Sequence, residues 1–427
     1  MSHVLIWKNV YPGSEYDIFN PTDYSGIYEH SLAKWNGCWQ NWGNKLWFQG
    51  VYSAINTGEN TYDFISGDVD IDTVNSKYDF IFLPMANIFH TEFIGDMRHL
   101  TEIFSRVRIP VYVVVCGVQA DSYDDLPRLI DEIGNDSRAF IRTIYNTGGD
   151  FALRGYFTEE FFRRLGFYDA TVTGCPSLFQ KGRSFRVEQP AVSVDKLRPT
   201  FNGSVKMFEN RMDAYHDSVF IDQSQYFLPL YQPDYLENAG LKFQMAFVDN
   251  YGYTAAHLLS QGRIAMIADM NAWYQYLRNT GFHYAFGSRI HGTIMALLSG
   301  VPATIITTDS RTREMAEFFD IPLTVAEPNH RFTMDEFHRL YEQVDYSKFN
   351  RTFPEKFDAY EQFLVKHGIV SHVNADNPFF DVPANHAYLD FMERGKEPFA
   401  EFAEKLDRNR TWIELGNLAK RVKRKVF

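Results

Sequence analysis

The stretch from Phe286 to Pro322, FGSRIHGTIMALLSGVPATIITTDSRTREMAEFFDIP, constrains this chain more than any other. It reads as one unbroken piece of α/β architecture. A short apolar segment ending at Phe286 leads into Gly287-Ser288-Arg289-Ile290-His291-Gly292, which reads as a turn. Thr293 to Ser299 then carry Ile294, Leu297 and Leu298 at helical spacing, and Gly300-Val301-Pro302 stops the helix. Ala303 to Thr307 have the composition of a buried strand, and Asp309-Ser310 cap a second helix from Arg311 to Phe319. This order predicts that Arg289 and His291 stand at the carboxyl end of a strand, beside a helix N-terminus. Free amides and the helix dipole make such places anion sites in open α/β sheets.

The same alternation runs through the rest of the chain. His3–Trp7, Asp79–Pro84 and Ile109–Val115 are near-continuous apolar runs that predict buried parallel strands. Tyr11 to Asn36 reads as loop, and a helix opens in the Gly37–Leu46 segment and runs through Ile55. After a polar, irregular stretch from Gln180 to Pro190, the pattern restarts. Ala191–Val194, Ser218–Asp222, Phe243–Val248, Arg263–Ala268 and His283–Phe286 predict strands; Val205–His216 and Met270–Arg278 predict helices. Gln223 and Gln225 fall at the carboxyl end of one of these strands. The expected architecture is α/β, with two Rossmann-like domains facing each other over residues 1–185 and 186–328. Beyond Pro328 the periodicity is helical and amphipathic, as in Phe353–His367 and Phe399–Leu406, predicting a helical extension over 329–427 that packs back across both domains.

Composition narrows the function. The 427 residues are 45% hydrophobic and 22% charged, as in a folded globular protein, with a net charge of −12 that argues against nucleic acid as a partner. Cys38, Cys116 and Cys175 show no metal-binding or disulfide spacing. There is no phosphate-binding loop with Lys and Ser/Thr, and no nucleophile elbow. The N-terminus lacks signal-peptide character and no apolar run is long enough to span a bilayer, so the expected location is cytoplasmic. The last residues, Asn417 to Phe427, interleave five cations with Leu418, Val422, Val426 and Phe427. They read either as a solvated tail or as a short basic amphipathic helix that meets the membrane from the cytoplasmic side.

The segment SRIHGTIMALLSGVPA followed by DSRTREMAEFFDIP resembles the signature region of the polysaccharide pyruvyl transferase family, whose Arg-x-His-Gly element falls on Arg289, Ile290, His291 and Gly292. The resemblance covers roughly residues 37 to 325 and is dense only at the signature. It implies a glycosyltransferase-B-like fold. It also implies transfer of the enolpyruvyl-derived group of phosphoenolpyruvate onto a sugar of a bacterial surface polysaccharide, such as a capsule or exopolysaccharide, or of its lipid-linked precursor. In the family an Arg at a strand end precedes a capped helix, a layout matched by Arg154 and Thr158, although the usual Asp is here Gly155. The family's Asp-Pro turn is altered to Gly174-Cys175-Pro176-Ser177, and its Gly-Asn turn corresponds to Trp42-Gly43-Asn44.

Making a pyruvate ketal requires protonation of the donor's methylene carbon, attack of a sugar hydroxyl on C2, loss of phosphate, and closure by a second hydroxyl. Arg289 and Arg154 suit the two anionic groups, with Gly292 and Arg311 as further donor contacts, because guanidinium is permanently charged and forked. His291 suits proton transfer. Asn44, Asn87, His90 and Gln119, at loop and strand ends of the first domain, are the candidate acceptor contacts; His90 reads equally as a structural residue. This chemistry requires no metal and no cofactor besides the donor substrate. Two other functions fit the same pattern: a nucleotide-sugar glycosyltransferase on this fold, and a non-catalytic glycan-binding or assembly protein. In the plain reading of the motif, Arg289 pairs with a sheet-edge carboxylate and His291 caps the helix.

Overall fold

The computed structural model describes residues 2–7, 41, 43–55, 59–65, 69–212, 215, 217–223, 236–267, 269–327, 330–369, 384 and 386–426. The predicted loop Tyr11–Asn36, the segment 37–40 with Cys38, and His216, Gln225, Ala268 and Pro328 lie outside them.

The strands form two six-stranded parallel sheets. In the first half the elements are β1 (His3–Trp7), α1 (Gly43–Ile55), β2 (Thr61–Ile65), α2 (Ile71–Lys77), β3 (Phe80–Pro84), α3 (Ile94–Phe104), β4 (Val111–Cys116), α4 (Leu126–Asn146), β5 (Asp150–Leu153), α5 (Tyr156–Arg164) and β6 (Thr171–Val172). The strand order is β2-β1-β3-β4-β5-β6. Alternate residues of each strand feed opposite layers: Val4 and Ile6 join one core, Leu5 and Trp7 the other. Helices therefore cover both faces, which is why these strands are apolar throughout. Near its end β4 breaks register with β5, and Val115 is held at φ +64°. A β-branched residue in that region is strained, and the irregularity re-aims the strand end toward the sheet edge. There the amide of Arg154 donates to the Cys116 carbonyl (2.8 Å).

The second half comprises β7 (Pro199–Asn202), α6 (Val205–Met212), β8 (Val219–Asp222), α7 (Leu241–Tyr251), α8 (Thr254–Ser260), β9 (Ile264–Met266), α9 (Met270–Asn279), β10 (Tyr284–Gly287), α10 (Ile290–Leu298), β11 (Ala303–Thr307), α11 (Ser310–Phe319) and β12 (Leu323–Val325). Its order, β12-β11-β10-β7-β8-β9, is the 3-2-1-4-5-6 order of a Rossmann sheet when counted within this half. The order reverses between β7 and β10, so a crevice opens between Asn202 and Gly287.

Two sequence expectations fail here. Residues Ala191–Val194 form no strand; the chain makes a short turn at Val194–Lys196, and the central strand is β7. Pro199-Thr-Phe-Asn202 carries one large apolar residue, and Thr200 satisfies its hydroxyl on the Val219 carbonyl (3.0 Å), so a buried strand looks like a loop. Phe243–Val248 lies inside helix α7. Phe243 and Phe247 both pack on Phe402, four residues apart on one helical face, a spacing that outweighs their strand-like composition.

The C-terminal helices α12 (Met334–Glu342), α13 (Ser347–Lys366), α14 (Ala387–Arg408) and α15 (Arg410–Val426) close the molecule. Helix α13 returns to the first half, where Lys366 and His367 bond Asp150 at 2.7 and 2.9 Å, and Arg183 grips Asp358 by two bonds. Helix α14 packs on α8 and β9 in the second half.

Candidate active site

The carboxyl ends of both sheets converge on one cavity of about 460 Å³. Ala86 and Asn87 line it after β3, Arg154 after β5, Asp222 and Gln223 at the end of β8, Ser288 and Arg289 after β10, and Thr308 and Asp309 after β11. Asn41 and Asn44, at the start of α1, line it as well.

Helix α10 begins at Ile290, three residues earlier than its periodicity suggested, so His291 and Gly292 sit in its first turn. Its N-cap, Arg289, makes no side-chain cap. Support comes across the crevice instead, from Asn202, whose Oδ1 accepts from the Arg289 amide (3.2 Å). Gly292 is required by close approach: a Cβ there would strike the Gln223 carboxamide and the Asn202 side chain. The glycine of the motif thus lets a second layer of amides press against the helix start.

The charges are distributed unevenly. Among the described residues, Arg311 alone of Arg154, Arg289 and Arg311 has a carboxylate within 4.0 Å, namely Asp309 at 2.8 Å. Arg154 is almost fully buried, and its Nε and the Nε of Arg311 have no hydrogen-bond partner among the described residues. Burial lowers the pKa of Arg154 from its ordinary value. Gln223 is buried with both carboxamide atoms unpartnered among the described residues. Leaving a buried polar atom unpaired costs about 1–3 kcal/mol. Several such atoms around one cavity mark it as built for a ligand that completes them.

His291 is buried, with Nε2 3.9 Å from the Cys175 thiol, which in turn accepts from the Ser177 hydroxyl (3.0 Å). Burial, with Arg154 and Arg311 nearby, pushes its pKa down to about 3. The imidazole is therefore neutral near pH 7. Burial also raises the Cys175 thiol, so it contacts the ring as a neutral group. The family's altered turn thus packs directly behind the histidine.

Beneath Arg154 lies a carboxylate that the sequence did not announce as part of the site. Glu314 of α11 is buried and accepts from the amide (3.0 Å) and hydroxyl (2.9 Å) of Thr158. Thr158 does not cap α5, whose N-cap is Gly155; its hydroxyl instead accepts from the Val118 amide (3.0 Å) and donates to Glu314. Burial raises Glu314 to about 7, against the pull of Arg154. Ser310 adds a second cross-link between the halves, donating to the Ala120 carbonyl (3.0 Å) and accepting from its amide (2.9 Å).

His291, Arg289, Arg154, Arg311, Asn44 and Asn87 all line the cavity. Gly292 backs it. Gln119 does not line it, but its carbonyl accepts from Asn87 (2.5 Å) and orients that side chain. His90 stands away from the cavity and caps the turn Thr91–Phe93, accepting from the Glu92 amide (3.3 Å). Its lone occurrence after a strand carried no information about direction. Asn202, Gln223 and Glu314 were not singled out as site residues. Glu314 had a readable signal: Ser310 and Glu314 lie four apart on a helix face otherwise made of Met315, Phe318 and Phe319.

Among curated proteins nothing matches this chain. Solved structures that resemble it include a UDP-N-acetylglucosamine 2-epimerase from Listeria monocytogenes, at 10% identity over 87% of this chain and 98% of that one, TM-score 0.39. MnaA of S. aureus with UDP gives 9% identity over 88% and 100%, TM-score 0.42. The glycosyltransferase SnogD of Streptomyces nogalater gives 11% over 87% and 99%, TM-score 0.35. At such scores these likenesses carry no argument about the site. Residues 70–310, which hold Arg154, Arg289 and His291, match the polysaccharide pyruvyl transferase family. The chain belongs to that family of transferases.

Proposed function

We propose that this protein transfers the enolpyruvyl-derived group of phosphoenolpyruvate to a sugar of a bacterial surface polysaccharide or its lipid-linked precursor, forming a pyruvate ketal. The observation that carries this reading is the set of cations without a carboxylate partner among the described residues, Arg154 and Arg289, around a buried neutral His291. Phosphoenolpyruvate brings a phosphate and a carboxylate, and forked guanidinium groups match both. Arg289 and Arg154 grip these anions, with Arg311 contributing the edge that Asp309 leaves unpaired. Bound anion screens His291 from the arginines and raises its pKa toward the range in which it can donate a proton.

In this reaction His291 delivers a proton to the methylene carbon, and the resulting positive charge at C2 is met by a sugar hydroxyl. Phosphate leaves with its electron pair, and the second hydroxyl closes the ketal, each hydroxyl proton passing to the neutral imidazole or to phosphate. Asn44, Asn87 and Gln223 offer both donors and acceptors, the pattern hydroxyl groups require. In this reading residues 1–185 form the acceptor side and 186–328 the donor side, with no cofactor besides the donor. The enzyme works in the cytoplasm, peripheral at the membrane where a lipid-linked acceptor is found.

A thermal-shift titration tests the donor. Phosphoenolpyruvate is expected to raise the melting temperature of the wild type and to lose that effect in Arg289→Ala. A shift with a UDP-, GDP- or CMP-sugar alone would overturn the reading in favour of a glycosyltransferase.

A further inference from the structure

Helix α15 is unlike the other helices of the molecule. Its inner side is fixed: Ile413 is buried, and Asn417 donates to the Met245 carbonyl of α7 (3.2 Å). Gly416 lies so close to Met245 that a Cβ would meet its terminal methyl at 2.5 Å. Its outer side leaves Trp412, Leu415, Leu418 and Val422 exposed at 66, 54, 57 and 55%. These are four of the ten large apolar side chains that stand exposed among the described residues, gathered within eleven positions. At 100° per residue they fall within roughly 120° of one another around the axis. Isolated exposed apolar residues need no explanation, but a stripe of this kind does.

The charge of the segment selects the occupant. From Arg410 onward the sequence holds six cations against the single carboxylate Glu414, and Lys420, Arg421, Lys423, Arg424 and Lys425 crowd its last turns, in a chain of net charge −12. A second copy of the chain, paired through this face, would bring two such cation clusters together. An anionic bilayer surface accepts the apolar stripe and neutralises the cations at once. Tryptophan also favours the headgroup region. Among the described residues no helix is long and apolar enough to cross a membrane, so the contact is one that lies in the interface.

We infer that the outward face of α15 docks on an anionic lipid surface. The docking stands independently of the reaction proposed above. It has a geometric corollary for that reaction: α7, on which α15 rests, ends in Asn250 and Tyr251, which line the cavity. A surface held by α15 is therefore one helix away from the cavity, and a substrate carried on a lipid would be presented near its mouth.

The full chain is to be floated with phosphatidylcholine vesicles, with and without phosphatidylglycerol, alongside a Leu415→Ser/Leu418→Ser variant. Both substituted side chains are exposed, so an unchanged melting temperature is expected and serves as the folding control. Wild type should float with the anionic vesicles, and removal of either the anionic lipid or the two leucines should weaken binding about tenfold or more. Binding to neither vesicle, or binding untouched by the double substitution, overturns the proposal. So does a concentration-dependent dimer in sedimentation that the variant abolishes, which would assign the face to a second copy. Phosphoenolpyruvate-induced stabilisation, measured on the same samples, reports separately on the reaction.

Discussion

The two ends of strand β5 hold buried charges under opposite rules. At its start Asp150 is saturated: Lys366 and His367 donate to one oxygen and the Phe151 amide to the other (2.7 Å). Burial would raise its pKa, but these bonds outweigh burial and hold it below the ordinary value. Just past its end Arg154 is equally buried and has no carboxylate in hydrogen-bond reach among the described residues; nearby Glu314 gives its oxygens to Thr158 instead. The two ends of one strand thus hold one buried charge fully bonded and another whose Nε has no hydrogen-bond partner among the described residues, which is the contrast the proposed anion site rests on.

That contrast breaks most readily at His291. His291→Ala should reduce kcat by about 10²- to 10⁴-fold, the usual cost of losing a proton-transfer group. Stabilisation by phosphoenolpyruvate should survive, and turnover near wild type would remove His291 from the chemistry. Arg289→Lys should act next, raising KM for phosphoenolpyruvate roughly ten- to a hundredfold, because the charge remains but the fork is lost. A change confined to kcat would contradict its assignment to binding.

Asp150→Asn should behave as scaffold does. It should cost about 1–3 kcal/mol in urea unfolding by leaving charge-assisted bonds unmade, with kcat unaltered where the protein is folded. The wild-type stability due to Asp150 is present above its unfolded pKa of 3.8 and is lost as pH falls below that value. Glu314 has the opposite sign. Its pKa is raised from 4.5 to about 7, so the folded state binds a proton that the unfolded chain has released, and stability declines as pH rises through that window. Glu314→Gln should flatten that decline, the smallest of these effects, measured as melting temperature between pH 4.5 and 7. A decline that persists would locate its source elsewhere; His291, lowered to about 3, pulls the other way, gaining stability as pH rises from 3 to 6.5.

The alternation of strands and helices was legible because each parallel strand is covered on both faces and so must be apolar throughout, as VYVVVC in β4 is. The placement of Arg289 and His291 was legible for a related reason: they follow a strand and open a helix, so topology brings them to the cavity. Strand β7 was not, since a central position shielded by neighbours tolerates Pro199 and Thr200. Asn202 and Gln223 act through contacts across the β7–β10 crevice, between segments 65 or more residues apart, and no local pattern encodes such a meeting. His90 shows the reverse failure: the residue type was right for chemistry, but the local turn consumed it.

The bond between Asp150 and Lys366 has a consequence in time. The two residues are 216 positions apart. At roughly 5–20 residues per second on a ribosome, the lysine emerges about ten to forty seconds after the aspartate it neutralises. During that interval Asp150, at the start of a buried strand, has neither of its two native cationic partners. The bonds that complete Asp150 can therefore form only after every strand of the second sheet has been synthesised.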